Sequence, residues 1–346
     1  MKRVLKTLYN YAPRDYVQFF KNSTGNHKRL HFYNSDLSGL STDKNYSWQH
    51  NESTNYLSLN FQNVDCFESN VIEKLESQLC GFIPGTQWLK SEMTPKERLF
   101  INGIIRKCRP KTIVEIGISA GGSSCLILNA IKDISDATLY SFDYNNYWYR
   151  AKKNKKHSGF LVRELIDSST QKKWVLNSGG NANDHFGCLP KAGVDICLID
   201  TVHSNPGEHL NILEILPYMK KNGIIIFHDS AYHIKNSEGY TNRVAINTLC
   251  GKRIFLTSEE TKGLPNIEAV VLCDDIDSSL PGLFSNLSLP WTYSLSEKDY
   301  FSFLKHFNKF YKFELVKLFI FYSTFYLNGG QKNRPFSLEA AERALS

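Results

Sequence analysis

Two stretches of this sequence end in residues able to move protons. VDICLID, Val194 to Asp200, is followed by His203, and GIIIFHD, Gly223 to Asp229, closes on His228 and Asp229. In both, an apolar run delivers an imidazole and a carboxylate near its end. An imidazole held by a carboxylate is suited to taking the proton from a weakly nucleophilic hydroxyl. If both runs are strands of one sheet, their ends share one rim, and Asp200, His203, His228 and Asp229 form the candidate catalytic set. The segment Asn205-Pro206-Gly207-Glu208 reads as a helix opening, with Asn205 as N-cap and Glu208 completing the cap. Glu208 is therefore assigned to structure.

A third stretch, KTIVEIGISAGGSS (Lys111 to Ser124), combines Glu115 with Gly117, Ser119, Gly121 and Gly122. Glycine lacks a Cβ, so a ligand can lie against such a loop. The loop has no Gly-Lys-Ser/Thr ending to cradle phosphates, and its spacing is not Gly-x-Gly-x-x-Gly. An acid at a strand end is awkward beside a pyrophosphate and well placed for a cationic or amino-bearing ligand.

These residues need a sheet that carries them to one edge. Apolar runs at Thr112–Ile116, Thr138–Phe142, Trp174–Leu176, Val194–Ile199 and Ile224–Phe227 predict parallel strands buried on both faces, with Arg253–Leu256 and Ala269–Leu272 completing the sheet. Thr94-Pro95-Lys96-Glu97 predicts a capped helix ahead of the first strand. The expected fold is α/β: a doubly wound, mostly parallel seven-stranded sheet over residues 93–275. Residues 1–92, rich in Asn, Ser, Tyr and Phe, form an N-terminal extension with no assignable fold, although Asn70–Leu79 looks helical. Residues 276–346 read as a helical extension, with helices at Glu297–His306, Lys312–Leu327 and Leu338–Leu345.

The glycine loop resembles motif I of the class I S-adenosylmethionine-dependent methyltransferases, acid-x-Gly-x-Gly-x-Gly, with Ser119 where the second glycine usually sits. The resemblance implies a Rossmann-like methyltransferase fold and a cofactor site at Glu115, Gly117, Ser119, Gly121 and Gly122. It also implies that Asp143, ending the next strand, accepts from the ribose hydroxyls, and that Ser178 and Gly179, after the third strand, lie near adenine. The stretch from Val194 to Ser230 resembles the branch of sugar and small-molecule O-methyltransferases and cephalosporin-hydroxylase-like proteins, with Ile-Asp-x-x-His-Ser after strand four and His-Asp after strand five. That implies methylation of a sugar hydroxyl in a glycan or glycosylated metabolite. It also implies Asp200 and Asp229 as ligands for a magnesium-like ion, from which His228 departs, since imidazole is a poor ligand for a hard cation. The resemblance covers Thr94 to Leu272. Tyr232 and His233 are candidates for the acceptor pocket, and Tyr144, Tyr147, Trp148 and Tyr149 would stack on a sugar or cover the cofactor. The alternatives are a non-catalytic methyltransferase-like binding or assembly subunit and, more remotely, a nicotinamide-dependent oxidoreductase.

The 346 residues are 42% hydrophobic with a formal net charge of +7. The basic run Arg150, Lys152, Lys153, Lys155 and Lys156 reads as a solvated face, and no aromatic-interleaved basic motif points to nucleic acid. Eight scattered cysteines without a CxxC pair indicate a reducing, cytoplasmic setting without structural zinc. KLFIFYSTFYL, Lys317 to Leu327, is too short to span a bilayer, which leaves a packed helix or a peripheral membrane contact. A homo-oligomer is also compatible with the sequence.

Overall fold

The computed structural model describes residues 93–150, 155–230, 240–257 and 265–327. The expectations for residues 1–92, for Tyr232 and His233, and for a helix at Leu338–Leu345 lie outside the described residues.

The chain enters through α1 (Pro95–Cys108), capped as the sequence predicts. The Glu97 N–H donates to the Thr94 hydroxyl at 3.3 Å, and the Thr94 N–H donates to Glu97 Oε2 at 2.7 Å. Such a cap contributes about 1 kcal/mol. Strand and helix then alternate: β1 (Thr112–Ile116), α2 (Gly122–Ile131), β2 (Thr138–Asp143), α3 (Phe160–Leu165), α4 (Ser168–Gln171), β3 (Trp174–Ser178) and β4 (Val194–Ile199). They are followed by α5 (Gly207–Ile215), β5 (Met219–Phe227), α6 (Tyr240–Thr248), β6 (Gly251–Thr257) and β7 (Pro265–Leu272), then α7 (Leu280–Ser285), α8 (Glu297–Phe310) and α9 (Phe313–Leu327).

The strands form one seven-stranded sheet in the order β3-β2-β1-β4-β5-β7-β6. Pairing is parallel except at β7, which runs antiparallel to both β5 and β6. Strand alternation sends side chains to two cores. Val114, Ile116, Cys197, Ile199, Ile225 and Phe227 pack with Leu213, Phe284, Phe307 and Phe319 on one face. Ile113, Ile196, Leu198, Ile224 and Ile226 pack with Phe100, Ile104, Leu126 and Leu161 on the other. The C-terminal helices thus share a core with the sheet. In α9, Val316, Phe319 and Ile320 are buried while Phe321 is 63% exposed. Among the described residues no helix is long and apolar enough to cross a membrane.

The order places β1 beside β4, with the chain winding outward in both directions from that pair. Ligands of doubly wound sheets bind at this switch point, beyond the carboxyl ends of the strands. The glycine loop follows β1, and Asp200 and His203 follow β4. At the opposite end, Asp195 accepts from the N–H groups of Lys111 and Thr112, both at 2.9 Å, and from Lys220 Nζ at 2.6 Å, tying β1, β4 and β5 together.

His209, in α5, is fully buried, and burial lowers its pKa to about 3. The native state therefore holds it neutral where the unfolded chain, below about 6.5, takes up a proton. Its contribution to stability is present above about pH 6.5 and is lost as pH falls toward 3. The destabilisation caused by His209→Leu is expected to shrink over that window in urea unfolding. A penalty that does not vary with pH would mean that the imidazole is solvated or charged in the native state.

Candidate active site

The loops after β1 and β4 are stitched together at the backbone. The Asp200 N–H donates to the Ile116 carbonyl at 2.9 Å and the Gly117 N–H to the Phe142 carbonyl at 2.8 Å. A Cβ on Gly117 would stand 1.9 Å from the Asp200 carbonyl oxygen, and one on Gly121 would stand 2.9 Å from Gly159 Cα. Both positions also have left-handed φ angles, +93° and +98°. Packing of the protein's own chain therefore requires glycine at 117 and 121. Of the three loop glycines, Gly122 alone leaves room for a Cβ, which would meet nothing within 4 Å apart from its chain neighbours and its own helix. The expectation that these glycines clear the backbone for a ligand is thus narrowed by geometry to Gly122.

The four residues at the ends of β4 and β5 come together. His203 Nε2 lies 3.2 Å from Asp200 Oδ1 and 3.7 Å from Asp229 Oδ2, and His228 Nδ1 lies 3.3 Å from Asp200 Oδ1 and 3.9 Å from Asp229 Oδ1. Asp200 bridges the two imidazoles. His203 and Asp229 both hold left-handed backbone, φ +50° and +52°, which costs a residue with a Cβ on the order of 1 kcal/mol or more. Strain of this kind concentrates where side chains must point to a set place.

Two further carboxylates complete the cluster, each read from the sequence as part of a helix cap. Glu97, read as part of the α1 cap, also accepts from Asn266 Nδ2 at 2.7 Å and places Oε2 3.6 Å from His228 Nε2. Asn266 Nδ2 in turn donates to Asp229 Oδ1 at 3.0 Å. Glu208, read as a helix cap, does not cap α5. The N-cap of α5 is Pro206, with no side-chain cap bond, and the Asn205 amide donates instead to the Leu289 carbonyl at 2.7 Å. Glu208 Oε1 lies 2.8 Å from His203 Nδ1. Spacing within one segment suggests caps; it carries no sign that a histidine five residues earlier will fold back onto the carboxylate.

Charge explains the titration behaviour. Burial pushes the Asp200 carboxyl up, but the charge of His228 at 3.3 Å and the close approach of His203 at 3.2 Å outweigh it and hold Asp200 well below the usual carboxylate range. Burial pushes His203 down, and hydrogen bonds to Asp200 and Glu208 outweigh it, raising the imidazole to about 10. His228 is likewise raised, against burial, by the charge of Asp200. Glu97 is lowered to about 2, burial being outweighed first by its interaction with the nearby His228 ring and then by the hydrogen bond from Asn266. Burial pushes the Glu208 carboxyl up, against its hydrogen bond with His203, yet the acidic groups around the site still outnumber the two imidazoles. Such a pocket favours a cation.

The remaining expected positions lie around the glycine loop. Asp143 Oδ2 accepts from the N–H groups of Ile118 and Ser119 at 3.0 and 2.9 Å, and Oδ1 from that of Asn145 at 2.8 Å. The Gly179 N–H donates to the Asp143 carbonyl at 3.0 Å, and the Ser178 hydroxyl donates to Asn146 Oδ1 at 3.0 Å. Asp143, Ser119, Ser178 and Gly179 therefore meet at the β2–β3 side of the switch point. Glu115 is sealed. Alternation puts it on the Ile113 face, under α2, where Ser123, Ser124 and Ser141 donate to it at 2.5, 2.6 and 2.6 Å. Burial raises its pKa to about 7, against those bonds.

Residues 114–230, from within β1 to just past Asp229, match the family described as methyltransferase domain. Over this stretch, about a third of the chain, the protein is similar to methyltransferase domains. No curated protein matches the sequence. Solved structures resemble it in outline. The O-methyltransferase TomG from Streptomyces achromogenes, involved in tomaymycin synthesis and bound to S-adenosylmethionine, is 16% identical over 64% of this chain and 99% of its own, with a TM-score of 0.44. The O-methyltransferase from Bacillus cereus, bound to S-adenosylhomocysteine, is 14% identical over 63% and 99%, with a TM-score of 0.43. The Podospora anserina methyltransferase PaMTH1, also bound to S-adenosylhomocysteine, is 13% identical over 65% and 95%, with a TM-score of 0.43.

Within the matched stretch, Asp200, His203 and Asp229 each bring one donor atom within 4.8 Å of the others. This donor set fits magnesium poorly. Magnesium demands near-octahedral oxygen ligation, whereas here an imidazole completes the triad and a second imidazole, His228, stands against Asp200.

Proposed function

We propose that the domain is an S-adenosylmethionine-dependent O-methyltransferase whose acceptor is a sugar hydroxyl, in a glycan or a glycosylated metabolite, and that it works in a reducing cytoplasmic setting. One observation carries the proposal: His203, His228, Asp200 and Asp229 converge at the switch point, beside a glycine loop with open space at Gly122. S-adenosylmethionine, when bound, supplies a methyl group on a positively charged sulfur. The acidic excess of the cluster attracts that charge, and Asp143, fixed against the loop amides, offers its carboxylate to the ribose.

His203 is the base. Its side chain is the more exposed of the two imidazoles, 11% against 3% for His228. Nε2 takes the hydroxyl proton as the acceptor oxygen bonds to the methyl carbon, and the electron pair of the broken carbon–sulfur bond stays with sulfur. Asp200 and Glu208 keep the resting ring protonated at neutral pH, so the step runs through the neutral minority of the ring, which the positive charge of the donor enlarges and a rise in pH increases further. Asp200 and Asp229 hold the ring in place, and no step is routed through a metal.

Support for a sugar comes from the rim. Tyr144, directly after Asp143, is 57% exposed, and its hydroxyl donates to Asp299 Oδ2 at 3.1 Å. Tyr293 is 40% exposed, and its hydroxyl oxygen would lie 2.8 Å from a Cβ on Gly207, at the start of α5. Exposed tyrosines offer an apolar face and a polar tip, as a sugar ring requires. Trp148, by contrast, is buried against Phe160 and takes no part in the rim.

Mass spectrometry of glycans and glycosides incubated with isotopically labelled donor tests the proposal. One added methyl on a hydroxyl is expected. Donor binding without transfer to any acceptor would instead favour a non-catalytic subunit. Asp143→Ala is expected to weaken donor binding about 10- to 100-fold, the loss of charge-assisted hydrogen bonds, as read by calorimetry. An unchanged Kd would remove Asp143 from the site.

A further inference from the structure

We infer that Glu208 is the positioning residue of this site, fixing the His203 ring so that Nδ1 is occupied and Nε2 alone is turned to Asp200, Asp229 and the acceptor. The inference rests on the methyltransferase assignment only for its kinetic consequence; the geometry stands apart from it. Glu208 is 1% exposed. Burying a carboxylate costs several kcal/mol unless it is paired and hydrogen-bonded, and a buried pair seldom returns more stability than an apolar replacement. A glutamate is therefore kept here for a reason other than stability. It does not cap the helix it begins, and its only hydrogen-bonded side-chain partner among the described residues is His203, through Oε1 at 2.8 Å, while Oε2 has none. His203 reaches it by adopting a left-handed backbone at φ +50°, a conformation that turns the ring back onto α5.

The consequence follows from the two nitrogens of imidazole. A carboxylate accepting from Nδ1–H fixes which nitrogen carries the proton and sets the ring plane, so that the other nitrogen is the one left to act. Without Glu208, the ring can rotate and exchange the roles of its nitrogens. At 1% exposure the carboxylate is closed off from a ligand in the mouth of the site, so it acts through His203.

Glu208→Gln preserves size and a hydrogen-bond acceptor while removing the charge. In the purified full chain, its kcat is expected to fall about 10- to 100-fold, as for comparable outer partners of histidine. Acceptor KM and melting temperature should remain near wild type, donor Kd should rise by much less than kcat falls, and Glu208→Asp should recover part of the rate. NMR of the histidine rings provides a readout independent of turnover. A low-field Nδ1–H resonance, assigned to His203 by its absence in His203→Gln, should move upfield in Glu208→Gln, because a neutral amide oxygen is the weaker acceptor. If no acceptor is ever methylated, this shift still decides the matter. An unmoved resonance, or a rate equal to wild type, would overturn the assignment. Loss of folding in Glu208→Gln would show the carboxylate to be structural and would overturn it too.

Discussion

His203→Ala is expected to lower kcat by about two to four orders of magnitude, the usual worth of a positioned general base, with donor affinity nearly unchanged. The cluster distinguishes this residue from its neighbour. His228 is enclosed by Glu97, Asp200 and Asp229, at 3.6, 3.3 and 3.9 Å, and its side chain is 3% exposed. It is placed to hold Asp200 in position. His203 faces the same Asp200 from the mouth of the site, at 3.2 Å, with its far nitrogen secured on Glu208. His228→Ala should therefore cost less turnover than His203→Ala and should also disturb Asp200, which reads out as a weaker response to donor binding. Single-turnover rates at saturating donor and calorimetry on both variants separate the two effects. A larger rate loss in His228→Ala would reverse the roles and make His228 the base.

Much of this arrangement was legible before any coordinates, because strand ends obey simple rules. Runs such as Thr112–Ile116 and Val194–Ile199 are apolar on both faces, which only a covered parallel strand explains, and both have the predicted bounds. Once such strands share a sheet, the residues after them must share an edge, so Asp200 and His203 were bound to meet His228 and Asp229. Glu97 and Glu208 were not legible in these roles because each has a local explanation in helix capping. For Glu97 that explanation is correct and incomplete, since one carboxylate both caps α1 and stands beside His228. For Glu208 it fails, because Asn205, the supposed cap partner, is drawn away to the backbone at Leu289. That contact spans 84 residues, and no local pattern announces it. β5 shows the same limit in milder form. It begins at Met219, five residues before the apolar run, because pairing of Met219 with Val194 is fixed by the neighbouring strand rather than by hydropathy.

The glycine loop allows structure and ligand to be separated by two single methyl groups. Gly117→Ala places a Cβ 1.9 Å from the carbonyl oxygen of Asp200, at φ +93°, and the obstacle is backbone that cannot swing aside. Substitutions of this severity cost about 4 kcal/mol or more, and a melting temperature at least roughly 10 °C lower is expected, with donor binding lost as a consequence. Gly122→Ala is the opposite case. The position opens α2, its added Cβ meets nothing within 4 Å apart from its chain neighbours and its own helix, and alanine is the better helix former by up to about 1 kcal/mol. Its melting temperature should be equal to or above that of wild type. The same methyl enters the space in front of the helix N-terminus, where the proposed site would hold the donor. Overpacking there costs about 1–3 kcal/mol, roughly one to two decades in donor Kd. A variant that is as stable as wild type yet binds S-adenosylmethionine poorly would locate the cofactor at Gly122. Unimpaired binding by Gly122→Ala would move the cofactor off this loop, and the roles given to Asp143 and His203 would fall with it.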